Sequence, residues 1–194
     1  MKVVVFNHLT LDGVTQGPGS PDEDTRGGFV HGGWSPPYAD AVLGAYIGEG
    51  MASGGALLFG RHTYEHFFSV WPHRKDGNPF TKVLDDTQKY VASRTRKEPL
   101  PWCNSTLLAG DAADTVAKLK ERPGKDMVVL GSVSLAQSLA RHDLVDEYQL
   151  IIHPLILGSG RRLFADGGRR SALKLVGAKP TTTGVIIATY RPAR

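Results

Sequence analysis

Short apolar runs alternate with segments of helical length along most of this chain, and three of those runs end on small, hydroxylic or basic residues. Ala56 to Phe59 leads into Gly60-Arg61-His62-Thr63, Tyr90 to Ala92 into Ser93-Arg94-Thr95, and Met127 to Leu130 into Gly131-Ser132. Each run has the length and bulk of a buried strand, and the residues after it read as a loop entering a helix. Alternation of this kind restricts the chain to an α/β architecture, with helices on both faces of a mostly parallel sheet and ligands at the strand C-termini.

A pass along the chain fills in that frame. Lys2 to Leu9 reads as a first strand, broken by Asp12-Gly13 and a long Gly/Pro/Asp stretch from Gly17 to Gly33. A loop of that length inside a compact domain is usually functional. Pro36 to about Gly50 reads as a helix, followed by helices over Thr63 to Phe68, Phe80 to Leu84, Asp114 to Glu121 and Ser134 to Arg141. Strands are expected at Ala56 to Phe59, from Lys89, at Thr106 to Ala109 and at Asp126 to Leu130. After Leu144 the pattern changes: Glu147 to His153, Leu173 to Ala178 and Gly184 to Tyr190 are consecutive strands without a comparable helix between them, which fits antiparallel pairing. No repeat or linker divides the chain, so residues 1–194 are expected to form one domain.

The composition, 41% hydrophobic and 22% charged, is that of an ordinary globular protein. A formal charge of +4 with dispersed basic residues gives little support to a nucleic-acid surface; Arg161-Arg162 and Arg169-Arg170 are the local concentrations. The first apolar run, Val3 to Phe6, is too short for a signal peptide and no later run approaches membrane-spanning length, so a cytoplasmic location without membrane contact is expected. The single cysteine, Cys103, excludes internal disulfides and a zinc site built from several thiolates.

Helix N-termini attract anions through unpaired backbone N–H groups and the helix dipole. One such junction is common; three together describe a binding edge for a large phosphorylated ligand. Arg61 and Arg94 stand at two of them, and the planar fork of an arginine suits a phosphate monoester better than an inner pyrophosphate already cradled by amides. That combination points to NADPH.

The same residues carry a family resemblance. Gly60-Arg61-His62-Thr63-Tyr64-Glu65 after an apolar strand is similar to the cofactor signature of the dihydrofolate reductase family. With Ser93-Arg94-Thr95, Gly131-Ser132, Leu144-Val-Asp-Glu-Tyr148, Pro154-Leu-Ile-Leu-Gly158-Ser-Gly160 and Arg162-Leu-Phe164, the chain resembles the reductase domain of bacterial riboflavin-biosynthesis enzymes, the RibD C-terminal type, from end to end. The resemblance implies a three-layer αβα dihydrofolate-reductase-like fold and transfer of a hydride from NADPH to a pterin-like or ribitylated pyrimidine-like heterocycle. It places Gly60, Arg61, His62 and Thr63 at the cofactor phosphates, Ser93, Arg94 and Thr95 at the adenosine 2′-phosphate, and Gly131, Ser132 and Val133 at the pyrophosphate. It also implies a homodimer, with the late strands as its natural interface. Neither the length nor the cysteine content accommodates the zinc deaminase domain that precedes the reductase in the bifunctional enzymes, and Val14 stands where the riboflavin reductases carry lysine.

Reduction of a ring C=N bond also needs a proton, which a partly buried carboxyl group with a raised pKa can deliver. Asp40, in Trp34-Ser-Pro-Pro-Tyr-Ala-Asp40, is similar in setting to the acid that opens the substrate helix of dihydrofolate reductases; Asp12, in Asp12-Gly13, matches the riboflavin-type reductases. Trp34 is a candidate to stack on a flat substrate or to pack the loop. Asp146 and Glu147 are discounted as a catalytic pair, because neighbouring strand residues point to opposite faces. Two other readings use the same edge: a nucleotide-binding protein without turnover, and a reductase that holds a deazaflavin in place of NADPH.

Overall fold

The structure is a computed structural model that describes residues 1–53, 55–164, 166–168 and 170–193. Arg169, one half of a basic pair noted in the sequence, lies outside the described residues. The strands are β1 (Val3–Thr10), β2 (Ala56–Gly60), β3 (Lys89–Ser93), β4 (Ser105–Ala109), β5 (Met127–Leu130), β6 (Glu147–His153), β7 (Leu173–Pro180) and β8 (Ile186–Pro192). The helices are α1 (Ala41–Ala52), α2 (Arg61–Val70), α3 (Pro79–Asp86), α4 (Ala112–Lys120) and α5 (Val133–Arg141). All eight strands join one sheet in the order β4-β3-β2-β5-β1-β6-β8-β7. Neighbours from β4 to β6 pair in parallel, while β8 runs antiparallel to both β6 and β7.

The middle of the sheet is apolar on both faces, as a parallel sheet covered by helices must be. Val3, Val5 and Val129 pack with Leu58, Val116, Leu135 and Leu139 under α4 and α5. On the opposite face, Leu43 of α1 covers Ile151 and Ile187, and Tyr64 of α2 and Leu84 of α3 meet Phe59, Val91 and Trp102. Lys89 is fully buried, and its ammonium donates to the carbonyls of Leu84 (2.6 Å), Asp85 (3.2 Å) and Thr87 (2.7 Å), closing the C-terminal end of α3.

The helix expected from Pro36 is divided. Pro36–Tyr38 forms one 3-10 turn, Ala39 and Asp40 are extended, and the α-helix begins only at Ala41. The break arises from Asp40, whose carboxylate accepts from Leu43 N at 2.8 Å and so prefers the non-helical N-cap position to the first turn.

The order of strands has one consequence for ligands. β5 lies between β1 and β2, yet β1 and β2 lead into α1 and α2 on one face while β5 leads into α5 on the other. Chains that leave adjacent parallel strands toward opposite faces open a crevice at the strand C-termini.

Candidate functional site

Two helices, α2 and α5, begin at this crevice, and neither carries a side-chain cap. By contrast α1, α3 and α4 are capped by Asp40, Asn78 and Asp111. The first-turn amides of a helix have no intrahelical partner, so α2 and α5 direct unfilled donors into the same space. Their starts are tied together: Gly60 N donates to Ser132 Oγ at 3.0 Å and Ser132 N to Thr63 Oγ1 at 3.2 Å. Gly131 and Ser132 both have positive φ, 65° and 44°, and a Cβ on Gly131 would lie 3.4 Å from Thr63 Cγ2. This left-handed pair turns the chain tightly so that the α5 amides face outward, a concave arrangement suited to an anion. Beneath it Asn7 of β1 reaches the Gly131 carbonyl from Nδ2 at 3.3 Å and accepts from Thr15 Oγ1 at 3.2 Å.

Arginines surround these donors. Arg94 pairs with Asp111 and remains largely exposed; Arg96, which the sequence did not single out, donates to Glu65 from Nε at 2.8 Å; Arg61 lies 3.8 Å from the same carboxylate. Among the described residues His62 meets its neighbour, at 3.2 Å from Arg61 Nη2, and it is exposed. The Ser93 hydroxyl accepts from Thr95 N at 3.2 Å and Arg96 N at 3.0 Å, which fixes the turn carrying the arginines. On the other flank, Val133, Ser134 and Gln137 of α5 line a cleft of about 320 Å³ together with Gly160, Arg161 and Arg162. The sequence marked Arg161-Arg162 as a local concentration of charge; the fold brings the pair to the start of α5. A larger hollow of about 460 Å³, between Met1, Ala56 and Gly124, lies at the N-terminal end of the strands, away from these donors.

The long loop after β1 is zipped to the segment before β7. Val14 bridges to Arg162, Thr15 N donates to Arg161 O at 2.9 Å, and Leu163 N donates to Gly13 O at 3.0 Å. Asp12 organises the join: it accepts from Thr10 Oγ1 at 2.6 Å, Gly158 N at 2.8 Å and Leu157 N at 3.2 Å. The Thr10 hydroxyl, with the Gly158 and Leu157 amides behind it, holds the Asp12 carboxyl below the usual carboxylate range.

Asp40 is committed in the same way. Besides Leu43 N it accepts from Thr182 Oγ1 at 2.6 Å, Thr182 N at 2.7 Å and Thr183 N at 3.3 Å, which ties α1 to the β7–β8 turn. The Thr182 hydroxyl first, and the Leu43 amide next, lower its pKa well below the ordinary value. Proton delivery requires the reverse shift, so the expectation of a raised pKa at Asp40 or Asp12 is corrected: both are anions that pin loops. Trp34 is likewise occupied. It is buried, donates from Nε1 to Gln16 O at 2.8 Å, and packs with Val14 and Phe29, so it fills the loop and does not present a free face. Asp146 and Glu147 serve separate partners, Val3 N with Lys120 and Arg191, as their opposite orientations require. Cys103 is exposed.

Sequence reasoning missed a histidine pair. His8 Nδ1 lies 3.0 Å from His153 Nε2 on the α1 face of the sheet, with Trp34 and Tyr38 edge-on to His153 at 5.1 and 5.4 Å between centroids. The available signal was the period-2 set Phe6, His8, Thr10, which puts a polar ring on the face where Phe6 is core.

The family model of the RibD C-terminal domain matches residues 1–187. The chain belongs to this family. The uncharacterized protein YyaP of Bacillus subtilis (strain 168) is 34% identical over 138 residues, which cover 69% of this chain and 72% of YyaP. A Shewanella sp. PV-4 protein named for riboflavin biosynthesis has the same fold, with a TM-score of 0.69, 22% identity and full coverage of both chains. The dihydrofolate reductase of Enterococcus faecalis, complexed with NADP(H) and RAB-propyl, aligns over 100% of this chain and 97% of its own at a TM-score of 0.62 and 11% identity.

Within this RibD C-terminal domain the residues expected at the cofactor edge lie at the ends of β2, β3 and β5, with the starts of α2 and α5 hydrogen-bonded to each other, while Asp12, Asp40 and Trp34 each have their own partners. Asp12 and Trp34 belong to the zipped loops and Asp40 to the far turn. Among the described residues there is no group of side chains that could hold a metal ion, and no helix is long and apolar enough to cross a membrane.

Proposed function

We propose that this RibD C-terminal domain is an NADPH-dependent reductase of a small conjugated heterocycle, pterin-like or ribitylated pyrimidine-like. The observation that carries the reading is the pair of uncapped helix N-termini at the switch point, flanked by arginines. Pyrophosphate would sit at Gly131, Ser132 and Val133, against the uncapped first turn of α5, with Arg161 beside it. The phosphates nearer the adenosine would meet Arg61 and Thr63, and the 2′-phosphate would meet Ser93, Thr95 and Arg94. The Arg94–Asp111 pair is no obstacle, because an exposed ion pair is worth only about 0–1 kcal/mol and a phosphate dianion can displace it. When bound, NADPH supplies a hydride to carbon; the electron pair of the C=N bond moves to nitrogen, which takes a proton from water. The Enterococcus faecalis dihydrofolate reductase, of the same fold, is complexed with NADP(H).

The test is a fluorescence titration with NADPH, NADH and a deazaflavin, repeated with Arg94→Ala and Arg61→Ala. A charge-assisted contact contributes about 1.5–3 kcal/mol, so each substitution is expected to weaken NADPH roughly tenfold to a hundredfold; Arg94→Ala should leave NADH nearly unchanged, whereas Arg61→Ala should weaken NADH by a similar factor. Equal affinity of the unmodified protein for NADH and NADPH would sink the 2′-phosphate assignment.

A further inference from the structure

The histidine pair is a buried polar group that the phosphate edge does not use. β1 runs between β5 and β6, and His8 and His153 project from β1 and β6 at the C-terminal end of the sheet, on the face covered by α1. β5, whose C-terminal end opens the crevice, is β1's other neighbour, so His8 lies on the strand nearer the crevice and His153 on the strand beyond it. The rings are inclined by 28° with centroids 5.2 Å apart, the geometry of an in-plane N–H···N bond at 3.0 Å. Phe6, Trp34 and Tyr38 are the rings packed against the two.

One proton lies between Nδ1 of His8 and Nε2 of His153, and its owner decides the chemistry at both outer nitrogens. His153 is completely buried, and among the described residues its Nδ1 has no hydrogen-bond partner. An orphaned buried N–H is rarer than an under-satisfied acceptor, which leaves His153 Nδ1 as a bare lone pair and puts the shared proton on His153 Nε2. His8 Nδ1 is then the acceptor, and a neutral His8 carries its own proton on Nε2. His8 is only partly buried, and within the described residues its Nε2 makes no hydrogen bond. Burial keeps both rings neutral, with the pKa lowered to about 3 for His8, where the neighbouring His153 adds to the effect, and to about 4 for His153.

We propose that His8 presents a fixed, neutral Nε2–H donor to the carbonyl or ring nitrogen of a planar heterocyclic substrate, and that His153 is the positioning residue that sets its tautomer. This deepens the reductase reading and rests on it. The hydrogen bond draws electron density toward the acceptor atom as hydride reaches carbon; His8 keeps its proton, and the nitrogen is protonated by water. A fixed neutral donor stabilises developing negative charge without a titration of its own.

Long-range proton–nitrogen NMR of the nitrogen-labelled full chain reads the tautomers directly. Nε2–H on both rings at pH 7 is expected; Nδ1–H on His8, with His153 Nδ1–H turned to the Trp34 or Tyr38 ring, would overturn the proposal. Titration with pterin in the presence of NADPH is expected to shift His8 Nε2 and leave His153 Nδ1 in place. His8→Leu should weaken pterin by about threefold to tenfold, the loss of one neutral hydrogen bond. His8→Gln, which retains an N–H at that reach, should stay within about twofold, and NADPH affinity should be unchanged in both variants. Failure of pterin to bind, or binding that leaves the His8 signal unmoved, refutes the donor role. Failure of NADPH to bind the unmodified protein instead refutes the reductase reading, and the donor role with it.

Discussion

Replacing Gly160 with alanine tests how the zipped loops shape the cleft beside α5. Gly160 has φ +119°, and a Cβ built there lies 2.7 Å from Val14 Cγ1 and 2.8 Å from Phe29 Cε2. Carbon atoms rest about 3.5–4.0 Å apart, so the new methyl overlaps both neighbours by roughly 0.7 Å or more. Neither can retreat: Val14 is wholly buried and Phe29 nearly so, and Val14 is held by Thr10 Oγ1 on its amide at 3.0 Å. Backbone strain contributes about 1–3 kcal/mol and overpacking about 1–3 kcal/mol, for a total of about 2–6 kcal/mol against a typical stability of about 5–15 kcal/mol. With a urea slope of about 2 kcal/mol per molar, the unfolding midpoint should fall by about 1–3 M. Part of the strain is relieved by displacing Arg161 and Arg162 from the start of α5, so NADPH should bind more weakly as well. Gly158→Ala is the control: its φ is +76° and nothing lies within 4 Å of the added carbon, so only backbone strain of about 1–2 kcal/mol applies. Equal midpoints for the two variants, or a Gly160→Ala protein with unchanged midpoint and NADPH affinity, would refute the steric account.

Two further outcomes concern protons. Asp40→Asn should lower the urea midpoint at neutral pH: a carboxyl whose folded pKa is depressed stabilises above its unfolded value of 3.8 and loses that effect as pH falls, so the gap between variant and parent should close in acid. NADPH-linked turnover should survive the substitution; its abolition with stability intact would restore Asp40 as a proton donor. The histidine pair has the opposite charge type but the same direction of effect. The unfolded chain binds protons below pH 6.5 while the folded pair resists them to about 4 and about 3, so stability is full above 6.5 and declines on acidification through that window. His153→Asn should flatten this part of the stability profile, and an unchanged profile would show that the pair is not held neutral.

The secondary structure was legible because its signals are local. Strands such as Met127–Leu130 are short apolar runs bounded by glycine or charge, and each was placed to within a residue or two. The helix after Pro36 was misjudged because Asp40 caps its start through Leu43 N while its other oxygen is held by Thr182 and Thr183, far away in the chain. The junctions expected to hold a cofactor were readable for the same local reason: glycine, hydroxylic or arginine residues come directly after these strands. Arg96 escaped because its position depends on Glu65 in α2. On the substrate side the reasoning rested on side-chain type, and the partners that lower the Asp12 and Asp40 pKa values were not visible to it.

The amino-acid order by itself determined the α/β alternation, the antiparallel finish and the three junctions where anions can be held, since each depends on residues adjacent in the chain. Tertiary structure decided which of those junctions share a crevice, because β5 inserts between β1 and β2 and sends its helix to the other face. It also decided which polar groups are free to act. Asp12 and Asp40 are each held by a near neighbour, Thr10 or Leu43, together with groups brought from about 140 residues away, whereas His8 and His153 meet across parallel strands in a setting too dry to charge them.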